Sequence, residues 1–291
     1  MQHDAALRLT PTTLVECAAS FDAVVFDQWG VLHNGSVPYR GAVEAMQQLA
    51  QQGKTLAMLS NSGKRAAVNA QRTADMGLPA DLFTHVMTSG EAFWRDCAAG
   101  RIAPGPLFPI IAQPGDFEAW RHGLKLTQAD SVFKSSAVLL MGLPEGTSGN
   151  AEMALLKEAR ACGLPLYCTN PDRGSPRADG VVQLSPGALA HAYQDAGGHV
   201  MFYGKPHQPV FDALKEALGV PPAKTLMVGD SLEHDIAGGD AAGWATAFVM
   251  GGLHADAFVD ANPDVATRSL AAAHNAPMPT FLISQLADIG V

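Results

Sequence analysis

The sequence predicts an α/β protein: a doubly wound parallel sheet with a second, smaller α/β unit inserted within it. Three observations carry this. Short apolar runs of strand length alternate with stretches whose apolar residues recur at helical spacing, the pattern of crossover units. Four of those runs are followed at once by polar residues, and in open parallel sheets ligands bind at that position. Between the two halves of the pattern lies a Gly/Pro-punctuated segment, 101–107, with Pro109 and Pro114 beyond it, after which an α/β alternation begins again.

In chain order, Ala-Val-Val-Phe at 23–26 is the first strand. A helix follows over 42–52, where Val43, Met46, Leu49 and Ala50 fall at i, i+3, i+6 and i+7 and make one apolar face. A strand over 56–59 and a helix over 66–76 come next, the helix ending at Gly77, and 85–87 is a shorter strand. The middle of the chain supplies a helix near 117–122, a strand at 137–141, a helix at 151–161 and a strand at 166–169. Strands at 200–203, 226–228 and 245–250 complete the pattern. Between the first two of them Val210, Leu214 and Leu218 recur every four residues on a helix. This reading assigns 1–100 and 200–291 to the main domain and 101–199 to the insert.

Composition narrows the function. The 291 residues carry 19 Lys+Arg against 28 Asp+Glu, a net charge of −9, and no block of like charge makes a local basic patch. Nucleic acid and anionic membranes are therefore excluded as expected partners, because their phosphates would be repelled. Cys17, Cys97, Cys162 and Cys168 form no CxxC pair and fit neither a zinc ribbon nor a disulfide framework. They read as free thiols of a reducing compartment. The start of the chain shows no basic region followed by an apolar stretch, and no apolar run approaches membrane-spanning length. The expected location is cytoplasmic.

The four post-strand segments are Phe26-Asp27-Gln28-Trp29-Gly30, Leu59-Ser60-Asn61-Ser62-Gly63, Tyr203-Gly204-Lys205-Pro206 and Val228-Gly229-Asp230-Ser231-Leu232-Glu233-His234-Asp235. Singly each is ordinary: an Asp after a strand is commonly a cap or turn residue, and Gly-Lys-Pro a turn. Together they are coherent chemistry. Asp27 and Asp230 can hold a hard divalent cation such as Mg²⁺, which keeps waters and bridges to a substrate phosphate. Ser60 and Lys205 can hold the remaining phosphate oxygens, and Asp27 can attack phosphorus.

These segments, in this order, resemble the haloacid dehalogenase (HAD) superfamily, whose pattern is Asp-x-Asp-Gly, a strand-terminal Ser/Thr, a distant Lys and Gly-Asp-x-x-x-x-Asp. Cys168-Thr169-Asn170-Pro171-Asp172, Asp179-Gly180, Pro186-Gly187-Ala188-Leu189 and Gly204-Lys205-Pro206 extend the likeness to its subclass IIA phosphatases. The resemblance covers nearly the whole chain. It implies a Rossmann-like core with a large inserted α/β cap, and phosphate bound at the carboxyl end of the core sheet. It also implies a Mg²⁺-dependent hydrolysis of a small phosphorylated metabolite through an aspartyl-phosphate. In that scheme Asp27 is the nucleophile, and Asp27, the Trp29 carbonyl and Asp230 hold Mg²⁺ with support from Asp235. Ser60, Asn61 and Lys205 bind phosphate, Asn170 and Asp172 face the substrate from the cap, and the cap makes a homodimer.

One position departs from the family pattern. Trp29 stands where its phosphatases have a second Asp, whose carboxylate protonates the leaving group and later activates water. A carbonyl for the metal survives the change, but an indole does neither acid–base job. The loss is worth about 10²–10⁴ in rate. A phosphatase of this kind is then slow or favours good leaving groups, unless another group substitutes. His33 is the nearest candidate by sequence, against a purely structural role for it. Two other readings stay open: a dehalogenase or phosphonate hydrolase, and a phosphate-ligand binder with little turnover. Glu233 and His234 read as helix-capping or solvent-facing rather than as metal ligands. Trp94, Trp120 and Trp244 read as packing. The Gly-rich run 237–243 lacks the GxGxxG order of a dinucleotide loop.

Overall fold

The computed structural model describes residues 8–176 and 181–286; Asp179 and Gly180 of the family-like segment lie outside the described residues. In chain order its strands are β1 (Pro11–Thr12), β2 (Ala23–Phe26), β3 (Thr55–Ser60), β4 (His85–Thr88), β5 (Leu107–Ile110), β6 (Ala137–Leu140), β7 (Leu166–Cys168), β8 (Gly174–Pro176), β9 (Val182–Leu184), β10 (Val200–Phe202), β11 (Thr225–Gly229), β12 (Ala245–Val249) and β13 (Phe281–Ile283). Seven of them form one sheet in the order β1-β13-β12-β11-β2-β3-β4. From β1 through β3 every neighbouring pair is parallel. The chain therefore winds outward through β3 and β4 on one side of β2, and through β11, β12 and β13 on the other. The reversal falls between β2 and β11, the topological switch point at which such sheets bind ligands.

Burial explains why the central strands are unbroken apolar runs. All four residues of β2 and all five of β11 are buried, as parallel strands covered on both faces must be. The helix Ala42–Gln51 in the β2–β3 connection buries Ala42, Ala45, Met46 and Leu49. Its inward stripe is thus i, i+3, i+4, i+7 beginning at Ala42, one residue off the expected face, with Val43 and Ala50 only half-buried. Toward the far edge Leu232, Ile236, Phe248, Met250 and Leu282 form a further apolar cluster.

The chain divides into two compact units. One comprises the stretch up to Met58, Ala74–His85 and the stretch from Leu218 onward; the other comprises Leu59–Thr73 and Val86–Ala217. The second unit contains a four-stranded parallel sheet, β10-β7-β6-β5, and the antiparallel β8–β9 hairpin. Its core gathers Val138, Leu140, Leu156, Leu166, Leu189 and Phe202. The strand at 200–202 pairs with β7 rather than with the strands that flank the insert in sequence. Period and burial specify a strand but not its neighbour. β5 contains Pro109 and is an edge strand, where a missing N–H is tolerated. Among the described residues no helix is long and apolar enough to cross a membrane.

Candidate active site

The first unit brings together Asp27, Asp230 and Asp235. One carboxylate oxygen of each lies within 4.8 Å of the others. Backbone geometry produces this cluster. Val228 of β11 is in register with Phe26 of β2, and the Asp27 N–H continues the ladder by donating to the Val228 carbonyl at 2.9 Å. Asp27 and Asp230 thus leave adjacent parallel strands at the switch point. Asp235 returns to the same place through a wide helical turn, Leu232–Ile236, capped by the Ser231 side chain. Turns of this π type recur at functional sites.

Glycines make room for the carboxylates. Gly30 has φ +84°, and a Cβ built there would overlap the Asp230 carboxylate. A Cβ at Gly252 would strike the same side chain, and one at Gly229 would strike Asp235. Asp230 Oδ2 accepts from the Leu253 N–H at 2.8 Å, and Asp235 Oδ2 from the Ser231 N–H at 3.1 Å. Asp230 is 3% and Asp235 0% exposed, while Asp27 is half-buried. Three carboxylates so close, two of them buried, are costly unless positive charge accompanies them. The all-oxygen donor set suits a hard divalent cation. Gly252 and Leu253 escaped sequence reasoning; a Gly-Gly pair directly after the apolar run 245–250 was the available signal.

The loop after Asp27 is braced by its own backbone. The Gly30 N–H donates to the His33 carbonyl at 3.0 Å, and the Leu32 and His33 N–H groups both donate to the Gln28 carbonyl. His33 is buried, and its Nδ1 accepts the Gly35 N–H at 3.0 Å. Its ring thus takes part in shaping this turn. The Trp29 indole, half-buried, lies beside Gly35, so that a Cβ at Gly35 would stand 3.2 Å from Nε1. Tyr39, held by its N–H to the Leu32 carbonyl, has its phenol pushed above the ordinary range by burial and by the Asp230 charge. Glu233 is exposed and His234 receives the Ser231 cap at its backbone; neither joins the carboxylate cluster.

The second unit gathers the other predicted residues. Ser60 closes β3, and its Oγ accepts the Ser62 N–H at 3.3 Å. Asn61 Oδ1 accepts the Lys205 N–H at 2.7 Å, and its Nδ2 donates to Asp172 Oδ1 at 2.7 Å and to the Lys205 carbonyl at 3.3 Å. Lys205 is only 3% exposed. Asn170 Oδ1 accepts the Asp172 N–H at 3.1 Å, an Asx-type turn. A cavity of about 430 Å³ elsewhere in this unit, lined by Ile111, Gln113, Phe117, Glu118 and Pro144, includes none of these residues. Trp120 and Trp244 are buried as expected, whereas Trp94 is half-exposed with the Arg65 guanidinium 3.7 Å from its ring centre. Cys17, Cys97 and Cys168 are free thiols pushed up to about 12 by burial.

Comparison with known families decides the class. Residues 24–105 match the profile of haloacid dehalogenase-like hydrolases, and residues 202–288 match a second, HAD-hydrolase-like profile. This chain is a HAD-like hydrolase. The two matched segments contain both strands of the switch point. The hydrolase is 29% identical to human chronophin over 292 residues, covering 97% of this chain and 96% of that one. Its fold superposes on a haloacid dehalogenase-like hydrolase of Brucella suis 1330 with TM-score 0.79 and 26% identity, over 95% and 100% of the two chains. A glycerol phosphate phosphatase of Mycobacterium tuberculosis, solved in complex with magnesium, shares the fold with TM-score 0.69 and 23% identity, over 95% and 78%.

Proposed function

We propose that this hydrolase is a Mg²⁺-dependent phosphatase of small phosphorylated metabolites that works through an aspartyl-phosphate. The observation that carries the reading is the Asp27–Asp230–Asp235 cluster at the switch point of a HAD-like sheet. Its relatives include chronophin and glycerol-3-phosphate phosphatases. A metal-free displacement would have no use for three converging carboxylates, which disfavours the dehalogenase reading. The half-buried Asp27 is the reactive member, and the two buried aspartates serve the cation.

In the first step Asp27 Oδ attacks phosphorus, the bond from phosphorus to the leaving oxygen breaks, and its electron pair departs with the leaving group. In the second, water attacks the same phosphorus, the Asp27–phosphorus bond breaks, and inorganic phosphate leaves with the carboxylate restored. Asp27, Asp230 and the Trp29 carbonyl would hold Mg²⁺, which supplies charge neutralisation for the phosphoryl oxygens. Asp235 orients that set, and residues 101–199 serve as the cap. Ser60 and Lys205, with the backbone N–H of Asn61, bind and neutralise the phosphoryl group. Because Trp29 has no proton to give to an alkoxide, substrates whose leaving groups are already stable anions turn over best.

The test is phosphate release from acetyl phosphate and p-nitrophenyl phosphate, in magnesium and in chelator. Release that needs magnesium and disappears in Asp27→Asn, with the variant still folded, is the expected result. Release that persists in Asp27→Asn would remove the nucleophile assignment. No release from either ester would move the protein to another hydrolytic reaction or to ligand binding.

A further inference from the structure

The phosphate role expected of Asn61 belongs to its backbone N–H, and its side chain is taken up by protein partners. A carboxamide has two N–H donors, and here they go to the Asp172 carboxylate at 2.7 Å and the Lys205 carbonyl at 3.3 Å. Its oxygen takes the Lys205 N–H at 2.7 Å. The side chain therefore grips Lys205 by both backbone groups at once. Close packing surrounds it: a Cβ at Gly204 would stand 2.6 Å from Asn61 Oδ1 and would overlap Pro171. The Asp172 loop is itself tied down, since the Gly187 N–H donates to the Asp172 carbonyl at 2.9 Å and a Cβ at Gly187 would overlap the Pro171 carbonyl. Asn61 is 7% exposed, so water competes little for these bonds.

We propose that Asn61 is a positioning residue whose carboxamide pins the Lys205 backbone and the Asp172 carboxylate to the end of β3, so that lysine and cap loop are set as one piece. This rests on the reading that Lys205 neutralises the transferring phosphoryl group. No residue of similar size except an amide can serve both partners, because Lys205 must be met by a donor and an acceptor while Asp172 needs a donor. Asn61→Asp keeps the shape and the acceptor but sets a carboxylate against Asp172 and against the Lys205 carbonyl.

The experiment measures kcat and KM for acetyl phosphate with magnesium in the full chain, for Asn61→Ala, Asn61→Asp, Asp172→Asn, the Asn61→Asp/Asp172→Asn double variant and Lys205→Ala, with a thermal midpoint for each. Lys205→Ala is expected to lose activity. Asn61→Ala is expected to lose kcat by about 10²-fold, the scale of an ångström's misplacement, with KM changing only a few-fold. Asn61→Asp should lose a similar amount and, being isosteric, keeps the test valid if Asn61→Ala does not fold. In the double variant the new amide at 172 donates to the new carboxylate at 61. Its kcat should then exceed the product of the single effects by about tenfold, which a general loss of stability would not produce. Effects that simply multiply, or an Asn61→Ala enzyme within about threefold of wild type beside an inactive Lys205→Ala, would overturn the positioning role. An active Lys205→Ala would instead show that the reading of the lysine is wrong, and the role of Asn61 would fall with it.

Discussion

Replacing Asp230 by Asn should make the protein more stable without metal and less responsive to it. The carboxylate oxygens of Asp27, Asp230 and Asp235 lie within 4.8 Å of one another. At that separation two unit charges repel by about 3.5 kcal/mol at an effective dielectric of ~20 and by about 0.9 in bulk water. Asp230 takes part in two such pairs, one with the buried Asp235 and one with the half-buried Asp27. After solvent screening, a gain of about 2 kcal/mol from its neutralisation is a reasonable scale. Asparagine fits the same glycine-lined space and can still accept the Leu253 N–H, so the packing cost is small. The assay is thermal unfolding in chelator and in a magnesium titration. In chelator the variant should melt about 4–8 °C above wild type. Wild type should gain about 2.7 kcal/mol when magnesium reaches a hundred times its dissociation constant, and the variant should lose most of that gain. A variant that melts lower in chelator would refute the repulsion argument. An undiminished magnesium shift would place the cation elsewhere.

Two further outcomes can be checked directly. Trp29→Asp should raise turnover of esters with poor leaving groups, by about tenfold or more of the 10²–10⁴ that acid–base catalysis supplies, while barely changing acetyl phosphate. Steady-state kinetics on both substrates separates this from a general effect, and no gain on the poor leaving group would mean that another group already moves the proton. Glu91 tests the second unit. Burial pushes its pKa up, but the Arg65 hydrogen bond, the Ala66 N–H and the Arg65 and Arg95 charges outweigh that and hold it below the usual 4.5. A lowered folded pKa contributes stability that is present above 4.5 and lost as pH falls through the folded value. Glu91→Gln should cost about 1.5–3 kcal/mol at neutral pH and flatten the acid limb of the stability curve; an unchanged acid limb would rule out this linkage.

Much of the architecture was legible because burial leaves a periodic trace. β2 and β11 are buried on both faces and so appear as uninterrupted apolar runs, each ended by the polar residue that marks the ligand edge. Elements with little burial left less. β1 has two residues, and β8 and β9 three each with no buried side chain at Val182. β5 was masked by Pro109, which an edge strand tolerates. For the site, residue type and position at strand ends named Asp27 and Asp230, and the family resemblance added Asp235, whose interval from Asp230 is a local property of one turn.

Partners across the chain had no such trace. That β10 pairs with β7, that Gly252 and Leu253 close around Asp230, and that Asn61 grips Lys205 and Asp172 are contacts between residues from 22 to 144 positions apart. Local chemistry determined which residues carry charge and where strands end. Only tertiary packing decided that the Asn61 carboxamide meets the Lys205 backbone and the Asp172 carboxylate, because a hydrogen-bonding group buried on folding must take whichever partner the surrounding chain presents.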